Sequence, residues 1–359
     1  MNRTRTRTAA LLCLALVAWS CWAPKTASEK EELVDQLLAD YAHPGEPGAS
    51  VLVVQNGSTV LKKSFGLASL EEPRACTPTT DFRLASVTKQ FTAMAVLILV
   101  SDSKLSLDDR LTKFFPDFPA YGAQISIHHL LTHTSGLLDY ESLMPDTQTV
   151  QIHDKGVLRL LMSVDSTYFL PGSEFRYSNS AYAILSLIVE KVSGQSFAQF
   201  LRTHIFDPLG MKNTVAYEKG ISVVPERAFG YAYTDSGWVF ADQSSTSAVL
   251  GDGGIYTSIE DMQKWDHSLS VGYLVPLYLL RKAWTPATLN DGSQTSYGFG
   301  WFLDPYGRYP RQYHTGSTYG FRTVIMRFPV QQLSIVILTN RNEGDLKTLA
   351  EDIADIYLE

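Results

Sequence analysis

Residues 49–65 of this 359-residue chain read ASVLVVQNGSTVLKKSF. Two runs rich in aliphatic and β-branched residues, Ala49 to Gln55 and Thr59 to Phe65, flank the dipeptide Asn56-Gly57. Asn-Gly between two such runs is a strong signal for a two-residue β-hairpin turn. Because an isolated hairpin is marginally stable in water, this one predicts further strands elsewhere in the chain.

Strand-like sequence returns only near the carboxyl end, at Gly298 to Leu303, Phe321 to Phe328 and Leu333 to Thr339, before a helical stretch from Leu346 to Leu358. The chain from about Ser86 to His267 reads mainly as helices and loops. The sequence therefore predicts an α+β fold, with a central antiparallel sheet built from both chain ends, flanking helices and an inserted, mainly helical lobe. Ligand sites favour the clefts between such lobes.

Apolar residues recur at helical spacing in several segments, and Gly and Pro residues separate them. We find no repeat or linker that divides the chain, so residues 29–359 are predicted to form one domain. The segments predicted to be helical are Glu29 to Tyr41, Lys89 to Ser101, His128 to Thr132, Lys155 to Val164, Ala181 to Val192 and Phe197 to His204.

The amino terminus has the pattern of an export signal. Three arginines in the first seven residues precede an apolar stretch at 9–19, which is too short to span a bilayer comfortably. Residues 1–28 are therefore predicted to be a signal-peptide region, and the protein to be periplasmic, secreted or a membrane-anchored lipoprotein. Cys21 follows a sequence similar to a lipoprotein cleavage box and is the lipidation candidate. The alternative is ordinary cleavage around Thr26 to Ser28.

Composition excludes several classes of protein. With 45% hydrophobic residues the chain is not disordered, and a net charge of -7 provides no basic surplus for nucleic acid. Cys76 is the one cysteine beyond the signal region, so no disulfide framework is expected. The expected partner is a small molecule or a short peptide, with membrane contact only through a lipid anchor. The sequence does not indicate the number of subunits.

Ser86-Val87-Thr88-Lys89 places a hydroxyl and an amine three residues apart, on one face of a helix. Burial of Lys89 would lower the pKa of its amine and let it take the serine proton, while N–H groups at the start of the helix stabilise an oxyanion. The spacing alone also fits a capping serine followed by a surface lysine. It recurs in Ser101-Asp102-Ser103-Lys104, which we interpret as a solvated helix end, whereas Ser86 precedes a strongly apolar helix.

Two further segments carry groups suited to the same chemistry. In Tyr177-Ser178-Asn179, the phenol can relay a proton and the amide can bind both Lys89 and a substrate carbonyl. The alternative is a surface tyrosine followed by a helix cap.

His314-Thr315-Gly316-Ser317 lies beside strand-like sequence, and the alternative interpretation is a simple turn. Gly316 would let a substrate backbone approach, and the Ser317 N–H would complete an oxyanion hole with that of Ser86. An imidazole of ordinary pKa at His314 gains charge as pH falls, so we expect anionic substrates to gain over neutral ones. The alternative is that burial lowers the pKa of His314 and moves this gain to lower pH.

The ordered set Ser-x-x-Lys, Tyr-x-Asn and a basic residue before Thr-Gly resembles the penicillin-recognising serine enzymes, which include class C β-lactamases, D-alanyl-D-alanine carboxypeptidases and related esterases and peptidases. The resemblance implies that Ser86 is acylated, Lys89 is its base, Tyr177 relays the proton, Asn179 binds substrate and His314 lines the cleft. Other similar segments are His129 to Leu137, Pro208 to Met211, Gly251 to Gly254, Ser258 to Trp265 and Tyr297 to Trp301.

The resemblance implies a serine hydrolase that acts through an acyl-enzyme on a peptide, amide or ester carbonyl, of D-alanyl peptidase or esterase type, without a cofactor. Class C β-lactamases carry lysine where this chain has His314, so a class C-like β-lactamase is the alternative. A non-catalytic peptidoglycan- or penicillin-binding lipoprotein is a further alternative. His129 and His133 have a metal-ligand spacing, but no glutamate follows His129, and no metal site is predicted. Asp252 receives no catalytic role.

Overall fold

The computed structural model describes residues 25–358, and a five-stranded antiparallel sheet lies at its centre. Within these residues the strands are β1 (Ala49–Gln55), β2 (Ser58–Phe65), β3 (Leu67–Ser69), β4 (Arg74–Ala75), β5 (Phe82–Arg83), β6 (Val215–Ala216), β7 (Tyr231–Thr234), β8 (Gly237–Phe240), β9 (Ile255–Thr257), β10 (Gln312–Thr318), β11 (Phe321–Phe328) and β12 (Leu333–Thr339).

The helices surround this sheet and form the lobe between its two halves. They are α1 (Ala27–Leu37), α2 (Lys89–Ser101), α3 (Leu111–Phe114), α4 (Ile127–Leu131), α5 (Tyr140–Leu143), α6 (Asp154–Met162), α7 (Asn179–Ser193), α8 (Phe197–Leu201), α9 (Asp207–Leu209), α10 (Leu250–Gly253), α11 (Ile259–Val271), α12 (Leu277–Ala283) and α13 (Leu346–Tyr357).

The central sheet has the strand order β10-β11-β12-β1-β2, so both ends of the chain contribute to it. β1 pairs with β12 across the join, with Val53 opposite Ile335. Asn56 and Gly57 both have positive φ, at 52° and 74°, which is the backbone of the hairpin turn that their sequence predicts. The predicted α+β fold is confirmed.

Each face of the sheet packs against a different layer. Val51 and Val53 of β1 are buried with side chains of α1 and α13, while Leu52 between them is buried with the helical lobe. This alternation follows from the two-residue period of a strand. The sheet is therefore covered on both faces, which explains the near-continuous burial of β1, β11 and β12.

Two predicted elements differ from the structure. The strand predicted at Gly298 to Leu303 is wrong, because these residues make only isolated bridges and Gly300 turns the backbone at φ 78°. The edge strand β10 forms instead at Gln312–Thr318. Its sequence, QYHTGST, has few of the aliphatic β-branched residues that usually mark a strand.

The first described helix begins two residues before the predicted Glu29. Thr26 and Glu29 form a reciprocal capping box there, and the hydroxyl of Thr26 accepts from the Glu29 N–H at 3.3 Å. Cys21 and most of the predicted signal region lie outside the described residues. Within residues 25–358, no helix is both long and apolar enough to cross a bilayer.

Candidate active site

Ser86 lies in a 3₁₀ turn, Ala85–Thr88, that leads into α2. Ala85 has φ 48°, a left-handed backbone conformation that is costly for a residue with a Cβ atom and persists only where surrounding contacts impose it. Two hydrogen bonds hold the neighbouring Leu84: its N–H donates to the Ile255 carbonyl at 2.8 Å, and the Thr323 hydroxyl donates to its carbonyl at 2.7 Å. β9 and β11 thus hold the turn that presents Ser86.

Lys89 is completely buried, and its amine is the centre of the site. Its Nζ donates to Ser86 Oγ at 3.0 Å, to Asn179 Oδ1 at 2.9 Å and to the Asp252 carbonyl at 3.0 Å. Burial lowers the pKa of Lys89 to about 8, and the nearby carboxylates of Asp252 and Glu141 oppose this shift. The structure therefore joins Ser86, Lys89 and Asn179 in one hydrogen-bonded group.

Asn179 and Tyr177 approach this group from the start of α7. The hydroxyl of Ser178 caps the helix by accepting from the Ala181 N–H at 3.2 Å, which is the capping role considered for this segment. Asn179 is the first helical residue, and its amide group donates weakly to Glu141 at 3.4 Å. The cap thus fixes the direction in which Asn179 meets Lys89.

Tyr177 lies beside the amine, with Lys89 Nζ 4.9 Å from the centre of its ring. Its hydroxyl is buried and receives no hydrogen bond of ordinary geometry from the described residues. Burial raises the pKa of Tyr177 well above its usual value, and the Ser86 hydroxyl opposes the shift. Catalytic hydrogen bonds are often poorly aligned until substrate tightens them.

β10 forms the other wall of the site. The backbone N–H and carbonyl of Tyr313 pair with Phe302, on the side of β10 away from β11. Because this orientation alternates along an antiparallel strand, the N–H groups of Thr315 and Ser317 also point out of that edge. Ser317 is exposed at this edge of the sheet.

Gly316 has a packing role that its sequence does not show. A Cβ atom at this position would collide with the Leu84 carbonyl and the Thr323 hydroxyl, and would crowd the Cβ of Ala85. The missing side chain therefore lets β10 pack directly against the turn that carries Ser86. It brings this wall of the site next to Ser86, and the approach of a substrate backbone at Gly316 stays a prediction.

His314 is 1% exposed, and both of its ring nitrogens are hydrogen-bonded. Nδ1 lies 2.7 Å from the Thr315 carbonyl and must donate to it, so Nε2, 2.9 Å from the Tyr297 hydroxyl, must accept. Burial lowers the pKa of His314 to about 3, with a further contribution from Lys89. Burial therefore moves the titration of this imidazole below its ordinary pH range, which is the alternative that the sequence leaves open.

Asp252 is the site residue that the sequence analysis left without a role. Its carbonyl accepts from Lys89, and its buried carboxylate accepts from the Tyr140 hydroxyl at 3.2 Å. Burial raises the pKa of this carboxyl, and Lys89 opposes the shift. The available signal was its place in the glycine-rich segment Gly251 to Gly254.

The other reactive or metal-binding residue types considered from the sequence do not form a second catalytic or metal site. All four residues of the second Ser-x-x-Lys segment, 101–104, are exposed, and Cys76 is a buried free thiol. His129 accepts from the Ser126 N–H at the start of α4. No group of three or more histidine, cysteine, aspartate or glutamate side chains within residues 25–358 is arranged to hold a metal ion.

A cavity of about 860 Å³ lies at the other end of the sheet, beside α11 and the β11–β12 turn. None of the predicted catalytic residues lines it. Its polar lining includes the buried ion pair of Arg327 and Asp266, joined at 2.6 Å, and the Ser334 hydroxyl donates to the same carboxylate. These groups are hydrogen-bonded to one another, so the cavity adds no candidate catalytic group.

The fold and the grouping of Ser86, Lys89, Tyr177 and Asn179 place the chain in the class of penicillin-recognising serine hydrolases. The family model described as Beta-lactamase matches residues 31–358, and the chain belongs to this family.

Several known proteins are similar to this chain in sequence or in fold. Penicillin-binding protein 4* of Bacillus subtilis is 32% identical over 88% of this chain and 72% of its own length. The octameric penicillin-binding protein homologue from Pyrococcus abyssi superposes with a TM-score of 0.77 at 25% identity, covering 93% of this chain and 77% of that one. The D-amino acid amidase from Ochrobactrum anthropi shares the fold, with a TM-score of 0.76 at 23% identity over 91% and 98% of the two chains.

Proposed function

We propose that this protein is a serine hydrolase that acts through an acyl-enzyme on a peptide, amide or ester carbonyl, of D-alanyl peptidase or esterase type. The observation that supports the proposal most strongly is the fully buried Lys89 amine, which lies 3.0 Å from Ser86 Oγ. An activated serine requires a base within hydrogen-bonding distance, and Lys89 meets this requirement.

The surroundings of Lys89 suit it to act as the base. A neutral amine has two N–H donors and one lone pair. Asn179 Oδ1 and the Asp252 carbonyl can accept only, so they take the two N–H groups. The ammonium form donates its third N–H to Ser86 Oγ, and loss of that proton leaves the lone pair directed at the Ser86 hydroxyl, which then becomes the donor. The lowered pKa of Lys89 makes this neutral form accessible near neutral pH.

The proposed reaction has two halves. Ser86 Oγ attacks the carbonyl carbon while its proton moves to Lys89, and the N–H groups of Ser86 and Ser317 bind the oxyanion. Tyr177, which burial keeps protonated, then gives a proton to the leaving group and recovers one from the Lys89 ammonium. In the second half, water attacks the ester, its proton passes to Lys89, and Ser86 Oγ departs with that proton. The net reaction is hydrolysis, and no cofactor enters it.

The electrostatics of the cleft bear on the choice of substrate. His314 is neutral and fully hydrogen-bonded, so it provides no cation where class C β-lactamases are expected to have lysine. A charge-assisted bond to a substrate carboxylate is roughly twice as strong as a neutral one. The missing cation therefore supports an esterase, or a peptidase whose substrate has no carboxylate at this position, ahead of a β-lactamase. The alternative of a non-catalytic binding protein predicts the same cleft without turnover.

The test is covalent labelling followed by turnover. We expect intact-mass measurement after exposure to a fluorophosphonate, and separately to a penicillin, to show one adduct on the peptide that contains Ser86. Ser86→Ala should abolish both labelling and hydrolysis, whereas Ser101→Ala should leave both nearly unchanged. Penicillin turnover faster than hydrolysis of D-alanyl peptides and esters would favour a β-lactamase, and labelling without any turnover would favour a binding protein. An adduct on any residue other than Ser86 would overturn the proposal.

Export and lipidation at Cys21 stay predictions, because Cys21 lies outside the described residues. Under the proposed function, such a location would bring the enzyme to cell-envelope peptides.

A further inference from the structure

His133 is a buried histidine that the proposed reaction does not use. It follows α4, is 0% exposed, and has φ 59°. A left-handed backbone is unusual for a residue other than glycine, and such strain persists only where other contacts impose it. Several of the contacts that His133 makes are to Tyr177 or to the residues on either side of it.

Two hydrogen bonds from His133 lie on either side of Tyr177 in the chain. The His133 backbone carbonyl accepts from the N–H of Arg176 at 3.0 Å, and its Nδ1 accepts from the N–H of Ser178, also at 3.0 Å. One residue thus fixes the peptide groups before and after Tyr177. Because Ser178 caps α7, the same contact sets where that helix starts.

The imidazole also supports the phenol ring directly. The rings of His133 and Tyr177 have centroids 4.3 Å apart and are tilted by 37°. Tyr182 and Tyr297 pack on the same imidazole, at 5.1 Å and 4.5 Å. Since Nδ1 accepts a hydrogen bond, the neutral ring carries its proton on Nε2, which is buried and has no partner among the described residues. The ring thus packs among aromatic side chains while its Nε2–H donor has no hydrogen-bond partner among the described residues.

We propose that His133 is a positioning residue that holds the Tyr177 phenol against Ser86 and Lys89, with its carbonyl and Nδ1 anchoring the backbone on both sides. This inference rests on the proposed function, because Tyr177 is the group through which His133 acts. It gives the strained backbone and the unpaired Nε2 one common explanation, which is the placement of the tyrosine.

The test compares substitutions that keep or remove the Nδ1 acceptor. Asn carries its amide oxygen one bond from Cγ, as Nδ1 is, and it tolerates a left-handed backbone. Gln carries its amide one bond further out. We expect His133→Ala and His133→Gln to lower kcat on the order of 100-fold with little change in KM, and His133→Asn to retain activity within about tenfold of wild type. His129→Ala is the matched control from the same segment, and its kcat should stay near that of wild type.

A double-mutant cycle distinguishes positioning from general loss of structure. If His133 acts through Tyr177, adding His133→Ala to Tyr177→Phe should lower kcat by less than about threefold more. Multiplication of the two effects would overturn the inference. So would equal losses in the Asn and Gln variants, or a folded His133→Ala protein with the kcat of wild type. Thermal unfolding of each variant identifies any loss that reflects unfolding.

The two proposals fail in different ways. If wild type forms no adduct on Ser86, the proposed function fails before any His133 variant is compared. If the adduct forms and the Asn variant is no better than the Gln variant, only the role of His133 is refuted.

Discussion

The two ends of α2 carry the same four-residue pattern in opposite environments. At its start, Lys89 is 0% exposed and donates to three acceptors from separate parts of the chain. At its end, the Lys104 side chain is 56% exposed and lies 3.1 Å from Asp102, two residues away. Spacing is therefore the same in both copies, and only one lysine meets a serine in a buried site.

The difference shows that burial, and not the Ser-x-x-Lys spacing alone, makes the lysine a candidate base. An exposed ion pair such as that of Lys104 contributes little, because water solvates both charges. The buried amine of Lys89 has its pKa lowered by the loss of that water and must find partners within the protein. The same pattern thus gives a candidate base at one end of the helix and a solvated surface at the other.

The largest expected effect comes from removing each lysine in turn. Lys89→Met keeps much of the side-chain volume and removes the amine, so we expect labelling of Ser86 and hydrolysis to fall on the order of 10³-fold. Lys104→Met should leave both rates within about twofold, since a surface pair is worth little. Second-order labelling rates with a fluorophosphonate measure the contrast. Similar losses of labelling rate in the two variants would contradict the assignment of Lys89 as the base.

A smaller effect is expected on pH dependence. If neutral Lys89 is the base, labelling should speed up as pH rises and level off above a pKa of about 8. The Glu141 carboxylate favours the ammonium, so removing its charge with Glu141→Gln should move the midpoint to lower pH. Asp102→Asn, beside Lys104, is the matched control and should leave the midpoint unchanged. A midpoint that stays in place or moves to higher pH in Glu141→Gln would contradict the assignment of Lys89.

The smallest expected effect concerns His314, where burial acts as it does on Lys89. Because its pKa is about 3, His314 stays neutral while an ordinary imidazole titrates. The ratio of kcat/KM for a carboxylated substrate to that for a neutral one should therefore be flat from about pH 5 to 8. The ratio cancels the titration of Lys89, which both substrates share. A ratio that rises as pH falls would show that His314 becomes protonated and binds the substrate carboxylate.

Much of the fold followed from local sequence. The hairpin at Asn56-Gly57, the strands β11 and β12 and the helix α2 have clear local signals, and the structure contains each of them. β10 has no clear local signal. It is an edge strand with the sequence QYHTGST, and its pairing with β11 defines it. Gly298 to Leu303 shows the reverse error, since its aromatic residues serve packing around a turn at Gly300.

The sequence by itself determined which side chains are available: Ser86, Lys89, Tyr177, Asn179 and the segment His314 to Ser317, together with the α+β class that brings the chain ends into one sheet. Tertiary structure decided what surrounds them. Lys89 meets the Asp252 carbonyl across 163 residues of sequence, and Ser178 meets His133 across 45. The charge states of Lys89 and His314 depend on how much water these contacts exclude. Local spacing carries no information about that exclusion, because the segments responsible are remote in the chain and adjacent only once it has folded.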